Sequence, residues 1–153
     1  MKILKDKTHR VIPVIASDQI KTLLPLVNKN THEFAFVMNM DTSKQPGSHW
    51  IAVYISRPDA SVEYYDSLVH QPTKSFMKDI KQLIEKMDDN VYYKFKVNMV
   101  KDQSDSSSNC GYFAINFLDK RLNGVKFKEA SFWREVDESR KGEKDIEMYK
   151  NYI

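Results

Sequence analysis

Cys110 is the only cysteine in the chain, and it stands where a run of small polar residues gives way to an apolar run with helical spacing. We predict that a helix begins at about this residue, so that the thiol lies at the positive end of the helix dipole. Such a position, or a cationic neighbour, lowers a cysteine pKa from about 8.5 to between roughly 3.5 and 7.5. A free cysteine is otherwise among the most buried residue types. The polar residues 106–109 favour a reactive thiol over an inert thiol in the core.

A thiol that attacks a carbonyl group needs a base, a group that orients the base, and donors for the oxyanion. The sequence contains a candidate for each role. We predict His49 as the base and Asp66 as the carboxylate that orients it. The side-chain amide of Gln103 and the backbone N–H of Cys110 would be the oxyanion donors. The competing interpretation of His49 is an ordinary surface or structural histidine.

The pairing of His49 with Asp66 depends on a predicted β-hairpin. Residues 49–56 and 62–66 carry strand patterns on either side of a turn. With a four-residue loop at 56–59, His49 lies opposite Asp66 at the open end, with Cβ atoms about 4.5–5.5 Å apart. A register slip of one residue would break this pairing, because it moves every side chain to the other face.

The nearest other carboxylate and the remaining histidines are weaker candidates. Strand alternation points Glu63 to the face opposite Asp66. No evident hairpin brings a carboxylate to the other three histidines, which are His9, His32 and His70.

Beyond the hairpin, the sequence predicts an α+β fold in which helices flank a small mixed β-sheet. Further strand patterns occupy residues 33–40 and 91–100. Ser17 is a candidate N-cap for a first helix. A second, amphipathic helix has its apolar stripe at Phe76, Ile80, Leu83, Ile84 and Met87. The helix that begins at Cys110 would run to about residue 122, which places the nucleophile at the N-terminus of a central helix.

Length and composition favour one domain spanning residues 1–153. One cysteine excludes an internal disulfide and a cysteine-rich zinc site, so we expect a reducing compartment. There is no signal-peptide pattern and no apolar run of the roughly 20 residues that span a bilayer, so we expect an intracellular protein without membrane contact. The net charge is +3, and basic residues are interspersed with acidic ones from Lys126 to Lys150, so nucleic-acid binding is weakly supported.

These residues resemble the adenain-like cysteine proteases, the maturation proteases of adenoviruses. The resemblance lies in His49-Trp50, Tyr65-Asp66-Ser67, and Gln103 seven positions before Cys110-Gly111. It covers roughly residues 30–122. Similar enzymes occur in virophages and polinton-type elements, and the proteases specific for ubiquitin-like modifiers are more distant relatives.

The resemblance implies a triad of Cys110, His49 and Asp66, with Gln103 in the oxyanion hole and no metal or cofactor. It implies an endopeptidase that cleaves capsid or core precursor proteins at Gly-containing sites such as Gly-Gly, in the virion and the host cytoplasm. The polypeptide substrate would be the main partner of a monomer. Some members are activated by a peptide and by DNA. Because Cys110 is the only cysteine, a peptide activator of this chain would bind noncovalently.

Several other interpretations compete with this one. Chymotrypsin-like viral cysteine proteases share the order His, Asp, Cys, but they need a second β-barrel where this chain reads as a helix. Papain-like enzymes have the cysteine before the histidine. Within the resembled group, the alternative is a protease that processes or deconjugates a ubiquitin-like modifier. From a different class, the chain could be a noncatalytic binding domain on the same fold.

Overall fold

The computed structural model of the protein describes residues 2–5, 11–41, 49–89, 92–99 and 110–131. Within these residues, one mixed β-sheet contains six strands whose spatial order equals their order in the chain. The β2–β3 and β5–β6 pairs are parallel, and the other neighbours are antiparallel. The strands are β1 (Lys2–Lys5), β2 (Val11–Ala16), β3 (Glu33–Asn39), β4 (Trp50–Ser56), β5 (Ser61–Tyr65) and β6 (Lys94–Val97).

Helices cover both faces of this sheet. One face carries a 3₁₀ helix, Ile20–Leu26, and helix α1, Lys74–Met87. The other carries helix α2, Cys110–Leu122, and the short helix α3, Phe127–Ala130. The predicted fold class, α+β with helices flanking a small mixed sheet, is confirmed. Among the described helices, none combines the length and the apolar character of a membrane-spanning segment.

The strand at the centre of the site, β4, is buried on both faces. Six of its seven residues are buried, and only Trp50 is partly exposed. Alternate residues contribute to two separate apolar cores: Ala52 and Tyr54 pack with α2, whereas Ile51 and Val53 pack with α1. Burial on both faces explains the nearly continuous apolar run in the sequence.

Helix α1 follows its predicted pattern closely. Thr73 caps its N-terminus by accepting a hydrogen bond from the backbone N–H of Phe76 at 3.1 Å. The buried residues of this helix are the five of the predicted stripe, Phe76, Ile80, Leu83, Ile84 and Met87. An amphipathic pattern with a cap is local information, and the tertiary structure does not override it here.

The predicted N-cap role of Ser17 is wrong. The following segment is a 3₁₀ helix that starts at Ile20 and contains Pro25, which lacks an N–H donor. Ser17 instead donates its backbone N–H and its hydroxyl to the carbonyl of Asp41, each at 3.1 Å. Both bonds tie the end of β2 to the residues that follow β3, so a long-range contact replaces the local cap.

The register of the β4–β5 hairpin differs from the predicted one by two residues. Ser56 pairs with Ser61, and the turn occupies residues 57–60 instead of 56–59. Ala60 closes the turn in the left-handed region, with φ at +47°. Glycine and asparagine are the usual signals for that conformation, and alanine carries none, so the sequence placed the turn one residue early.

The predicted direct pairing of His49 with Asp66 across the hairpin is therefore wrong. Both residues lie just outside the strands, because β4 begins at Trp50 and β5 ends at Tyr65. Side chains alternate with a period of two, so a shift of two residues leaves each one on its predicted face. The two side chains still meet, beyond the last paired residues of the hairpin, with Nε2 of His49 2.6 Å from Oδ1 of Asp66.

A buried ion pair holds the C-terminal half of α2 against the sheet. Arg121 donates from Nε and Nη2 to the two carboxylate oxygens of Glu63 at 2.6 and 2.8 Å. Its guanidinium also lies 4.6 Å from the ring centroid of Tyr54. Glu63, the rival carboxylate in the sequence, thus lies on the face that α2 covers, and its carboxylate is engaged by Arg121. Gly124, with φ at +85°, follows the end of the helix.

Candidate active site

The thiol of Cys110 lies at the start of α2, close to the beginning of β4. The backbone N–H of Trp50 donates to Sγ of Cys110 at 3.4 Å, and the N–H of Gly111 is a second backbone donor to the thiol. Only 7% of Cys110 is exposed. Its buried surroundings are polar hydrogen-bond donors at a helix N-terminus, which stabilise an anion on sulfur.

The imidazole of His49 lies between this thiol and a carboxylate. Its Nε2 is 2.6 Å from Oδ1 of Asp66, and the ring also shares a hydrogen bond with the Cys110 side chain. Because Nε2 is taken by Asp66, Nδ1 is the nitrogen that faces the thiol. The His49 side chain is 13% exposed and the Asp66 side chain 1%. Three of the four predicted site residues are therefore brought together.

The protonation of this group follows from its neighbours. Burial alone would lower the pKa of His49, but the hydrogen bonds and charges of Asp66 and Cys110 outweigh burial and raise that pKa to about 9. Burial alone would raise the pKa of Cys110, but the hydrogen bonds from His49 and the Trp50 N–H, together with the His49 charge, leave it lowered. Both shifts favour a thiolate beside an imidazolium.

Asp66 is held by hydrogen bonds to both carboxylate oxygens. Its Oδ1 accepts from the backbone N–H of Leu68 at 2.8 Å in addition to His49. Its Oδ2 accepts from the backbone N–H of His70 at 3.2 Å, and Nδ1 of the His70 ring lies 3.2 Å away. A carboxylate with this many donors is fixed in direction.

The main chain of Asp66 is held just as firmly by a side chain that follows β6. Asn98 accepts from the N–H of Asp66 at 2.9 Å and donates from Nδ2 to its carbonyl at 2.7 Å. The same carbonyl accepts from the N–H of Val69 at 2.9 Å. Val69 has φ at +62°, a left-handed conformation that costs a β-branched residue about 1–3 kcal/mol. The turn after β5 is thus strained and strongly hydrogen-bonded.

Two residues of this site were missed in the sequence. No hairpin was expected to bring a carboxylate to His70, but the turn after β5 places its ring against the same Asp66 that His49 contacts. The signal was its spacing of four residues from Asp66 in a turn-rich stretch. Asn98 lies 32 residues from Asp66, at the end of a separate strand, and no local pattern marks it. Gln103, the predicted oxyanion donor, lies outside the described residues, so its role stays a prediction.

Residues 27–152 match the Ulp1 protease family, C-terminal catalytic domain. The chain belongs to the Ulp1 protease family. The expected kinship with proteases of ubiquitin-like modifiers is therefore confirmed, as is the expectation of a cysteine protease domain. The family match supports kinship with the Ulp1 proteases and not specifically with the adenain-like proteases, so the narrower resemblance stays a prediction.

Viral proteins are among the relatives of this Ulp1-family chain. R355 of Acanthamoeba polyphaga mimivirus, whose name assigns it to the thiol proteases, is 30% identical over 106 residues, which are 67% of this chain and 34% of the relative. A protein of African swine fever virus named SUMO-1 cysteine protease is 29% identical over 129 residues, 81% of this chain and 44% of the relative. The chain thus spans less than half the length of these two relatives.

Solved structures agree with the fold. The SUMO protease Ulp1, with its catalytic cysteine oxidised to a sulfonic acid, superposes with a TM-score of 0.52. The match covers 77% of this chain and 63% of that chain, at 12% sequence identity. A likeness at this identity supports the architecture of sheet and helices alone.

Proposed function

We propose that this domain is a cysteine endopeptidase in which Cys110 is the nucleophile, His49 the general acid and base, and Asp66 the orienting carboxylate. One observation supports the proposal above all others. The imidazole of His49 is 2.6 Å from the Asp66 carboxylate and hydrogen-bonded to the Cys110 thiol. This is the arrangement that nucleophilic catalysis by a thiol requires. A domain that only binds a partner has no need of it.

In the proposed reaction, the Cys110 thiolate attacks the carbonyl carbon of the scissile bond, and an electron pair moves onto the carbonyl oxygen. The His49 imidazolium gives its proton to the departing amine as the C–N bond breaks, which leaves a thioester on Cys110. Neutral His49 then takes a proton from water, and the resulting hydroxide releases the acid and restores the thiolate. Asp66 keeps the ring oriented throughout.

The oxyanion formed in both steps needs donors aimed at it. We assign this role to the backbone N–H of Cys110 and to the side-chain amide of Gln103. For Gln103 the assignment rests on its place in the sequence, seven residues before the nucleophile.

For the substrate class, we propose a ubiquitin-like modifier that ends in Gly-Gly, either as a precursor or as a conjugate. The Ulp1-family match and the name of the African swine fever virus relative support this choice. The second candidate is cleavage of viral capsid or core precursors at Gly-containing sites. The viral origin of the relatives favours that candidate. Both substrates present a small, extended Gly-Gly segment beside the nucleophile, so the same site would serve either.

The experiment that tests the proposal offers the purified chain both substrate kinds and sequences the new N-termini. One arm contains a SUMO precursor with residues beyond its Gly-Gly and a SUMO conjugate, and the other a capsid-type precursor with an internal Gly-Gly site. We expect cleavage after Gly-Gly in the modifier arm. Cleavage in the capsid arm alone would transfer the assignment to the second candidate.

Cys110→Ala is the control for the chemistry. The variant removes the nucleophile and leaves the helix, because alanine is a strong helix former. We expect no cleavage of any substrate and an unchanged circular dichroism spectrum. Turnover that survives in Cys110→Ala would remove this residue from the mechanism.

A further inference from the structure

The carboxylate of Asp66 is shared by two histidines, which is one more than the proposed reaction uses. His49 contacts Oδ1 through Nε2 at 2.6 Å. His70 places Nδ1 at 3.2 Å from Oδ2. One ligand atom from each of the three residues lies within 4.8 Å of the others. The two rings meet edge to face, with their centroids 5.3 Å apart.

Two imidazole nitrogens and one carboxylate oxygen form a donor set that suits Zn²⁺. Zinc sites with three protein ligands and one open position use this type of set, with bonds of about 2.0–2.2 Å. Tetrahedral geometry at those lengths separates neighbouring donors by roughly 3.3 Å. The 3.2 Å contact of His70 is with Oδ2 of Asp66, and the 2.6 Å contact of His49 is with Oδ1. An ion bound through one of these oxygens therefore requires a ring to move, from starting positions in which the three ligand atoms lie within 4.8 Å of one another.

The burial of the three residues fits a site that a cation can reach. Asp66 is 1% exposed and anchored, so it supplies a fixed ligand, whereas the His70 side chain is 62% exposed. An exposed ring can rotate toward an arriving ion and can close the coordination from the solvent side. His49, at 13% exposure, has less room to move, so the adjustment falls mainly to the His70 ring.

We propose that His49, Asp66 and His70 form a reversible Zn²⁺ site that switches off the proposed catalytic group. On binding, Nε2 of His49 exchanges its proton for the metal, and the proton is released to solvent. The metal then occupies the place of the proton, so the ring can no longer cycle between imidazole and imidazolium. The inhibition rests on the proposed function, but the binding of zinc does not.

Binding is measured by calorimetry in a Cys110→Ser background, because the thiolate could bind zinc by itself. We expect one Zn²⁺ per chain and no binding of Mg²⁺, which prefers an all-oxygen set. His70→Ala in the same background should weaken zinc binding by at least tenfold, as loss of one ligand requires. Absent zinc binding, or equal affinity with and without His70, would overturn the proposal.

A matched histidine variant separates this site from zinc binding elsewhere. His32 is exposed and lies before β3, and His32→Ala should bind zinc as the parent does. In the active chain, Zn²⁺ should inhibit cleavage, and His70→Ala should require at least tenfold more zinc for the same fractional inhibition. If calorimetry succeeds while no substrate is cleaved, the metal site stands and the proposed function falls. If the same zinc concentration inhibits the parent chain and His70→Ala equally, the proposed switch is refuted.

Discussion

The imidazole of His49 lies between two groups that both favour its protonated form. Asp66 offers a negative charge on one side, and Cys110 offers a thiol that becomes negative when the ring keeps its proton. Each ion stabilises the other in a site from which most water is excluded. The reactivity of Cys110 therefore depends on a neighbour more than on the helix end at which it stands.

The first prediction concerns the thiolate. An ordinary thiol has a pKa of about 8.5. Cys110 should react with iodoacetamide well below that pH, because its pKa is lowered. In His49→Ala, burial still raises the pKa of Cys110 and its main opposing cause is gone. Labelling near pH 6, read by mass spectrometry, should therefore slow by at least about tenfold. His32→Ala is the control, and labelling that does not depend on His49 would contradict the ion pair.

The pH profile of cleavage gives a second prediction for the same group. The pKa of His49 is raised, so its protonated form is present below about pH 9 and is lost as the pH rises through that value. The leaving amine needs that proton, so kcat/KM should fall above about pH 9. A rate that keeps rising through this region would show that His49 does not supply the proton.

Gln103 allows a third prediction at the residue scale. Loss of a side-chain oxyanion donor typically reduces kcat by about 10²–10³-fold. Gln103→Ala should show a decrease of that order with a much smaller change in KM, because the interaction forms in the transition state. Gln103→Glu, which keeps the size but loses the amide donor, should be similarly slow. Unchanged kcat in both variants would remove Gln103 from the oxyanion hole.

At the scale of elements, the active site depends on where three segments end. β4 delivers His49, the turn after β5 delivers Asp66, and α2 begins with Cys110. The turn after β5 carries the strain of Val69, and the Asn98 side chain joins it to the end of β6. The amide of Asn98 acts like one more residue of the β5–β6 ladder, bonding both polar groups of the Asp66 main chain.

Asn98→Ala should therefore misplace Asp66 without touching the reacting atoms. A displacement of about 1 Å can cost about 10²-fold in rate, and we expect a loss of this order in kcat. The readout specific to positioning is the pH dependence of Cys110 alkylation. This profile should shift to higher pH, because a displaced Asp66 carboxylate stabilises the imidazolium of His49 less well.

Asn123→Ala is the matched control for that variant. Asn123 also donates to a main-chain carbonyl, that of Asp119 at 2.6 Å, but it lies at the opposite end of α2 from Cys110. We expect lowered stability in both variants and a shifted alkylation profile in Asn98→Ala alone. An unshifted profile in Asn98→Ala would limit this residue to structure.

At the scale of the whole molecule, two apolar cores lie on opposite faces of one sheet. Helix α2, which begins with the nucleophile Cys110, packs into one of these cores. The contact of Arg121 with Glu63 is the polar component of that packing, with side-chain exposures of only 12% and 1%. Removal of one partner of such a buried pair typically destabilises by about 3–5 kcal/mol, because a charge is left buried alone.

Arg121→Leu should lower the free energy of unfolding by about this amount, measured by urea titration. The double variant Glu63→Leu with Arg121→Leu removes both charges, and it should be more stable than Arg121→Leu alone. If the single and the double variant have equal stability, the pair is not the reason for the loss. The extent of one domain over residues 1–153 and the intracellular location stay predictions at this scale.

Local patterns in the sequence were sufficient for much of the fold. The bounds of α2, the buried stripe of α1 and the positions of β3 to β5 follow from spacing and capping within a few residues. The association of His49 with Asp66 was also predictable, because the period of two in a strand survives an error of two residues in the register.

The tertiary structure alone decided the features that join distant segments. The contacts of Asn98 with Asp66 and of Arg121 with Glu63 depend on how strands and helices end in space. The hairpin turn was misplaced because an alanine occupies a conformation that its residue type does not signal. Residue type and periodicity determine which face a side chain occupies, but the partner across a gap of thirty or more residues depends on packing that no short stretch of sequence encodes.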